Sequence, residues 1–216
     1  EWEKYFEYWQ SEMRSWLTHL GVDLSHIHEV EIPDGERAHY SKRTIDFEYD
    51  YPFGQKELYG LAYRTDFDLK RHGITGELPH VIEPTFGLDR SVLVALLEAY
   101  TEEEVDGETR VVLKLPKWAA PVQVAVLPLS KKEELAGPAE EIATSLRKHF
   151  RVDYDETQSI GKRYRRQDEV GTPLCITFDF ESLNDKKVTV RDRDTMQQER
   201  ISIEDLTTHL RSKLVD

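Results

Sequence analysis

Apolar residues near the start of the chain recur every three or four positions, at Trp2, Phe6, Met13 and Leu20 among others. This spacing predicts an amphipathic helix with one apolar face, and Gly21 is well placed to end it. We expect the aromatic residues of that face to pack in a core and not to form a binding surface.

Alternation of apolar and polar residues then predicts strands. Residues 45–51 alternate between apolar and acidic side chains, which is typical of a half-buried antiparallel strand. A second strand is predicted near residues 58–62, before a polar turn at residues 64–66. The β-branched pair Val81 and Ile82 predicts a third, buried strand.

Leucine and valine residues at helical spacing follow this third strand. They predict a helix from Leu88 to about Tyr100. Residues 110–115 predict one more strand. Together these elements predict an antiparallel sheet flanked by helices.

A proline-rich connector at residues 115–121 separates these elements from a second group. The second group follows the order β-α-β-α-β-β-α, with strands at 122–127, 151–152, 174–180 and near Val188, helices at 133–150 and 203–214, and a short basic helix after residue 160. Strands and helices in this order predict a mixed sheet covered by helices. We expect an α/β (α+β) protein with two domains, residues 1–118 and 119–216.

Composition is ordinary for a globular protein, with 38% hydrophobic and 33% charged residues among 216. No apolar run approaches the ~20 residues of a membrane span and no signal peptide is visible, so we expect a cytoplasmic protein. Cys175 is the one cysteine and lies in an apolar run, so we expect it in the core. His26 and His28 lack further partners at metal-ligand spacing, and we expect no metal site there.

The net charge of −13 is unevenly distributed. Residues 1–118 carry −11, whereas residues 119–216 carry −2. The second part contains the densest basic cluster, which consists of Lys162, Arg163, Arg165 and Arg166 around Tyr164. Such a cluster beside an aromatic ring suits phosphates and stacked bases. The alternative is a solvated helix face balanced by Asp168 and Glu169.

The junction between the third strand and the helix after it combines a carboxylate, a glycine and an arginine. Residues 82–90 read IEPTFGLDR. Gly87 leaves the backbone open to a ligand, and the start of a helix favours anions. Arg90 can bind a phosphate with two donors, while Glu83 suits an amine. The alternative is a core helix with a solvated first turn.

This junction resembles the third signature motif of class II aminoacyl-tRNA synthetases, and its wording is closest to that of glycyl-tRNA synthetases. Residues 39–49 and 57–69 resemble two further segments of the same family, in the same order. Residues 160–173 and 188–196 resemble the anticodon-binding domain shared by the glycine, histidine, proline and threonine synthetases. The resemblance covers nearly the whole chain. It implies part of an antiparallel class II catalytic core followed by a mixed-sheet anticodon-binding domain.

The resemblance also implies roles for individual residues, with Glu83 and Arg90 as the catalytic ones. The implied glycine-binding residues are Glu83, Pro84, Thr85, Phe86 and Gly87. The implied ATP-binding residues are Glu57, Leu58, Gly87, Leu88, Asp89 and Arg90, with Mg²⁺ accompanying ATP near Glu57. The candidate contacts for tRNA-Gly are Lys162, Arg163, Arg165 and Arg166. The family usually has serine in place of Thr85 and a small residue in place of Phe86.

Motifs 1 and 2 of class II synthetases are not found, and the segment at residues 72–80 is shorter than in the family. We therefore expect the C-terminal half of a glycine–tRNA ligase, inactive alone, whose full-length form is a homodimer. The alternative is a non-catalytic, synthetase-like accessory protein that binds nucleic acid. Retention of Glu57, Glu83 and Arg90 together disfavours that alternative.

Overall fold

The structure, a computed structural model, describes residues 1–214. Contacts between Cα atoms divide the chain into two compact units, residues 1–98 and the residues from Ala99 onwards. The predicted domain boundary at residue 118 lies further along the chain and stays a prediction. Among residues 1–214, no helix combines the length and apolar character that a membrane crossing requires.

The first unit is a four-stranded antiparallel sheet with helices on one face. Its elements are α1 (Trp2–His19), a 3₁₀ turn (Leu24–His26), β1 (Ile27–Glu31), β2 (Arg43–Tyr51), β3 (Gly54–Thr65), α2 (Phe67–Arg71), β4 (Val81–Phe86) and α3 (Leu88–Ala99). The strands lie in the order β1-β2-β3-β4, and each neighbouring pair is antiparallel. The predicted antiparallel sheet is confirmed.

Helix α1 forms as its apolar spacing predicts. Its inward face buries Phe6, Met13 and Leu17, and Gly21 follows the helix with a φ of +86°, a left-handed conformation that favours glycine. The prediction that the aromatic residues of its apolar face pack in a core is wrong in part. Trp9 and Trp16 remain 37% and 36% exposed.

The prediction that β4 is buried is also wrong. Strand β4 is the edge strand of the sheet, and its last two residues are exposed. Helix α3 forms as predicted and turns Val94 and Ala99 inward. The exposed members of its apolar repeat are Leu88, Val92, Leu93 and Leu96.

The second unit begins with a hairpin and continues as a five-stranded mixed sheet. The hairpin is β5 (Tyr100–Val105) and β6 (Glu108–Leu113). The mixed sheet and its helices are β7 (Val124–Pro128), α4 (Glu133–Leu146), β8 (Val152–Tyr154), α5 (Ile160–Val170), β9 (Leu174–Phe178), α6 (Ser182–Asp185), β10 (Lys187–Asp192), β11 (Gln198–Ser202) and α7 (Leu206–Leu214). The order is β11-β10-β9-β7-β8, with β7 parallel to β8 and β9. The predicted mixed sheet covered by helices is confirmed.

Helices cover both faces of the mixed sheet. Helices α4 and α7 pack on one face with the larger apolar cluster, and α5 packs on the other. Cys175 lies under α5, and its burial raises the pKa of its thiol to about 12. Its predicted place in the core is confirmed.

The sequence missed several elements of the second unit. Strand β6 was expected to extend the first sheet, but it pairs with β5 through a turn at Asp106 and Gly107, which both have positive φ. An Asp-Gly pair suits such a hairpin turn. Strand β11 and the short helix α6 were not predicted.

Candidate active site and candidate RNA-contacting helix

The two faces of the first sheet have opposite character because side chains alternate along each strand. On the helix-covered face, Leu61 of β3 lies between Ile45 of β2 and Pro84 of β4. On the other face, the neighbouring row is Asp46, Gly60 and Thr85. That second face forms an open cleft of about 300 Å³.

Small residues in the central strand make room in this cleft. Gly60 and Ala62 of β3 lie opposite Thr85 and Glu83 of β4. A Cβ atom at Gly60 would lie 3.7 Å from Oδ1 of Asp46 and 3.9 Å from Oε1 of Glu57. The cleft therefore has open space at its centre and is bordered by carboxylates.

Those carboxylates affect each other. The pKa of Asp46 is raised, chiefly because the group is partly buried and also because Glu57 and Glu48 are nearby. A negatively charged border of this kind favours a cationic group over an anionic one.

Arg64 holds the carboxylate of Glu83 at the end of the cleft. Its Nη1 donates to Oε2 of Glu83 over 2.8 Å, while Nε and Nη2 each donate to Asp68 over 2.7 Å. The guanidinium also lies 3.9 Å from the centroid of the Tyr40 ring. The pKa of Asp68 is lowered, mainly by its hydrogen bonds from Arg64. Glu83 is thus fixed from one side, and its side chain remains 42% exposed.

Arg64 lies within residues 57–69, which resemble the family, but the sequence predicts no role for it. Asp68 lies four residues after Arg64, but Arg64 belongs to β3 and Asp68 to α2, so helical spacing does not predict their contact. No local spacing therefore signals a role for Arg64. The further reach of Arg64 to Glu83 depends on the pairing of β3 with β4, which the local sequence does not show.

The predicted glycine-binding residues divide between the two faces of the sheet. Glu83 and Thr85 line the cleft together. Pro84 and Phe86 point to the helix-covered face, where the Phe86 ring lies 4.8 Å from that of Tyr59. The structure therefore brings only two of the four side chains in this group to the cleft.

The predicted ATP-binding residues meet at a β-bulge in β3. Phe47 pairs with Tyr59, but the next residue, Glu48, pairs with Glu57, so Leu58 is the extra residue. The side chain of Leu58 is buried, and its carbonyl would lie 3.2 Å from a Cβ atom at Gly87. Gly87 thus lets the start of α3 approach the bulge.

Arg90 lies in the first turn of α3 and contacts Glu57 twice. Its Nη1 donates to the backbone carbonyl of Glu57 over 2.8 Å and lies 3.3 Å from Oε2 of the carboxylate. Leu88 and Asp89 are exposed beside it. Across residues 1–214, no group of three or more His, Cys, Asp or Glu side chains is arranged to hold a metal ion.

The basic cluster of the second unit lies on α5, but its members differ in exposure. Lys162 is exposed, whereas Arg163 is 1% exposed and donates to the carbonyls of Pro128 over 2.6 Å and Asp155 over 3.0 Å. Burial lowers the pKa of Arg163. Arg163 anchors the loops after β7 and β8, so it does not belong to the basic surface that the sequence predicts.

Two further members of the cluster are half-exposed. Arg165 lies on the outer part of α5, and Arg166 pairs with Asp155 and with the hydroxyl and carbonyl of Thr157. Asp168 cannot balance this cluster in solvent, because it is fully buried. The accessible basic surface therefore comprises Lys162, Arg165 and part of Arg166.

A buried network joins α5 to the hairpin and to β10. Asp168 accepts from Nε of Arg110 over 2.9 Å and from Nη1 of Arg191 over 2.8 Å. Arg193 donates to the carbonyls of Leu113 and Gly171. The hairpin is consequently fixed to the end of α5.

Known proteins match both parts of the chain. Residues 123–213, which include α5, match the family described as Anticodon binding domain. The chain is 48% identical over 225 residues to the glycine–tRNA ligase of Caldanaerobacter subterraneus subsp. tengcongensis, covering 98% of the chain and 48% of that relative. By sequence, the chain belongs to the glycyl-tRNA synthetase family.

Other members of the family show the same coverage. The Geobacillus kaustophilus glycine–tRNA ligase is 50% identical over 226 residues, covering 98% of the chain and 49% of that protein. The Corynebacterium efficiens ligase is 45% identical over 235 residues, covering 99% and 51%. The chain spans about half the length of the curated relatives that it matches.

Proposed function

We propose that the cleft of the first unit is one wall of the glycine site in a class II glycine–tRNA ligase. The observation that carries this proposal is the row of small residues, Gly60 and Ala62, beside Glu83 and Thr85. Glu83 would bind the ammonium group of glycine and Thr85 would offer a hydroxyl. Arg64 keeps the Glu83 carboxylate in one orientation, which reduces the ordering needed when glycine binds.

ATP, with its Mg²⁺, would bind beside this cleft, at the start of α3. Arg90 and Glu57 fit such a ligand, because a half-exposed guanidinium suits phosphate oxygens and a half-exposed carboxylate suits the accompanying cation. Gly87, Leu88 and Asp89 would form the adjoining surface. ATP would supply the adenylyl group that activates the glycine carboxylate, with pyrophosphate as the leaving group. The side chains of this chain bind and orient the reactants, and none is needed as a nucleophile.

We propose that tRNA-Gly contacts the second unit at α5. Lys162, Arg165 and the exposed part of Arg166 would bind phosphates, and Arg163 would hold the neighbouring loops in place. The match of residues 123–213 to the Anticodon binding domain family supports this assignment. The ligase itself would be a cytoplasmic homodimer.

Glycine activation would require the half of such a ligase that this chain does not span. The chain alone should therefore give no glycine-dependent exchange of pyrophosphate into ATP, whereas a fusion to the complementary half of a relative should give it. In that fusion, Glu83→Gln should abolish the exchange, and Glu77→Gln, an exposed carboxylate six residues earlier, should not.

Each outcome bears on a separate part of the proposal. Exchange by the chain alone would contradict its inactivity. Exchange that survives Glu83→Gln in the fusion would contradict the role of Glu83. A fusion that binds tRNA-Gly but never activates glycine would favour the non-catalytic accessory protein.

A further inference from the structure

Arg90 and Glu57, two residues of the proposed ATP site, are bonded to each other in the structure. Nη1 of Arg90 lies 2.8 Å from the backbone carbonyl of Glu57 and 3.3 Å from Oε2 of its carboxylate. The side chains are 51% and 49% exposed. An ion pair this exposed to water is weak, so a ligand can replace either partner.

The bulge in β3 makes the two contacts of Arg90 unequal. It directs the carbonyl of Glu57 at Arg90 and the carbonyl of Leu58 at Gly87, so the strand holds the start of α3 through its backbone. These backbone contacts do not depend on the charge of Glu57. The carboxylate of Glu57 is a side-chain group at longer distance, and it can leave Arg90 without any movement of the strand.

We propose that Glu57 and Arg90 form a latch that a metal-bound polyphosphate opens by exchange of partners. The guanidinium of Arg90 passes from the Glu57 carboxylate to phosphate oxygens, and the released carboxylate faces the divalent cation that accompanies them. The carbonyl of Glu57 keeps its hydrogen bond to Arg90 throughout. The latch rests on the proposed function, and it adds that the site neutralises its own charges when no ligand is bound.

The latch discriminates between bare and metal-bound polyphosphate. A bare polyphosphate must displace the carboxylate from Arg90 and then lies beside it, with Asp46 also nearby. Like charges at such distances repel. A bound divalent cation converts the same carboxylate from a competitor into a partner. Loss of the Glu57 charge should therefore have opposite effects in the two conditions.

The test is binding of inorganic tripolyphosphate to the whole chain, measured by NMR titration with and without Mg²⁺. Glu57→Gln keeps the backbone carbonyl and the side-chain shape but removes the charge. Without Mg²⁺, the variant should bind about two- to fivefold more tightly, the size expected for an exposed ion pair. With Mg²⁺, it should bind at least about twofold more weakly, because a ligand for the cation is lost.

Glu48→Gln is the matched control. Glu48 pairs with Glu57 across the bulge and is bonded to Gln55, so its loss changes the local charge without touching Arg90. It should shift affinity in the same direction in both conditions. If Glu57→Gln does the same, the latch is overturned.

Arg90→Gln separates failure of the latch from failure of the proposed function. If Arg90→Gln abolishes binding and Glu57→Gln shifts the affinity in the same direction with and without Mg²⁺, the latch alone is contradicted. Binding that Arg90→Gln leaves unchanged contradicts the proposed phosphate role of Arg90 and the latch with it. A wild-type chain that binds no tripolyphosphate in either condition also overturns both.

Discussion

Arg110 donates from Nε to Oδ2 of Asp168 over 2.9 Å, and both side chains are fully buried. Asp168 also accepts two hydrogen bonds from Arg191, so one buried carboxylate is shared by two guanidinium groups. Burial of charge is tolerated here because every partner is supplied by the protein. The hairpin at the start of the second unit depends on this arrangement.

Asp168→Asn should lower the free energy of unfolding of the second unit by about 3–5 kcal/mol, because it neutralises the buried carboxylate that Arg110 and Arg191 share. Glu169→Gln, at the exposed neighbouring position, should change it by less than ~0.5 kcal/mol. Urea denaturation followed by NMR signals from residues after Ala99 measures both. Equal stability of the two variants would contradict the importance of the shared carboxylate.

The exposed basic residues of α5 should contribute to RNA affinity, whereas the buried Arg163 should contribute to stability. Replacing Lys162 and Arg165 by alanine should weaken binding of the tRNA-Gly anticodon stem-loop and lower the salt dependence of binding by about 0.7 per lost contact. The fold should be unchanged, because neither side chain is buried. Fluorescence anisotropy at several salt concentrations measures both quantities.

Arg163→Ala is the comparison for that experiment. It should destabilise the second unit, because three backbone carbonyls at the ends of β7 and β8 lose their donor. Undiminished affinity of the Lys162 and Arg165 variant, measured on folded protein, would remove the case for α5 as an RNA-contacting helix.

Local sequence predicted the elements of this protein better than it predicted their surroundings. The alternation in residues 45–51 identified β2 because one face of that strand is buried. The spacing in α3 identified a helix but not the exposure of Leu88, Val92 and Leu96, since periodicity does not report which neighbours cover a face. The motif at residues 82–90 singled out Glu83, whose role in binding stays a prediction.

The contacts of the candidate sites were less predictable. The hydrogen bond from Arg64 to Glu83 depends on the register between β3 and β4. The burial of Arg163 depends on the loops after β7 and β8. Both are determined by residues far apart in sequence. A count of charges in a segment therefore cannot distinguish an anchoring arginine from one that faces a ligand.

The stability of the first unit should depend on pH through His26. Its Nδ1 lies 2.7 Å from Oε1 of Glu98, and this bond is the main reason that the pKa of His26 is raised. A raised pKa in the folded state means that the stabilisation is fully present below the unfolded value of about 6.5 and is lost as pH rises through the folded pKa. Asp23 and Tyr49 also bond to Glu98.

An NMR titration of the histidine ring should show the His26 midpoint above about 6.5 in the wild type. Glu98→Gln should return it toward that value. The loss of stability between neutral and higher pH should also disappear in His26→Gln. A His26 midpoint that Glu98→Gln does not move would contradict the pairing.

Replacing Gly161, inside α5, and Gly171, just after α5, by alanine should change the free energy of unfolding in opposite directions. Gly171 has a φ of +81°, and a Cβ atom there would lie 2.9 Å from the carbonyl of Leu113. Gly171→Ala should therefore lower the free energy of unfolding by at least about 1–2 kcal/mol, through backbone strain and displacement of the hairpin.

Gly161 lies inside the same helix with open space around its Cα atom. Gly161→Ala should raise the free energy of unfolding by about 0.5–1 kcal/mol, because alanine loses less conformational freedom than glycine on entering a helix. Urea denaturation of the two variants beside the wild type gives both values. Destabilisation by Gly161→Ala would mean that the start of α5 is packed more closely than its open surroundings indicate. Lys162 would then be less accessible than RNA binding requires.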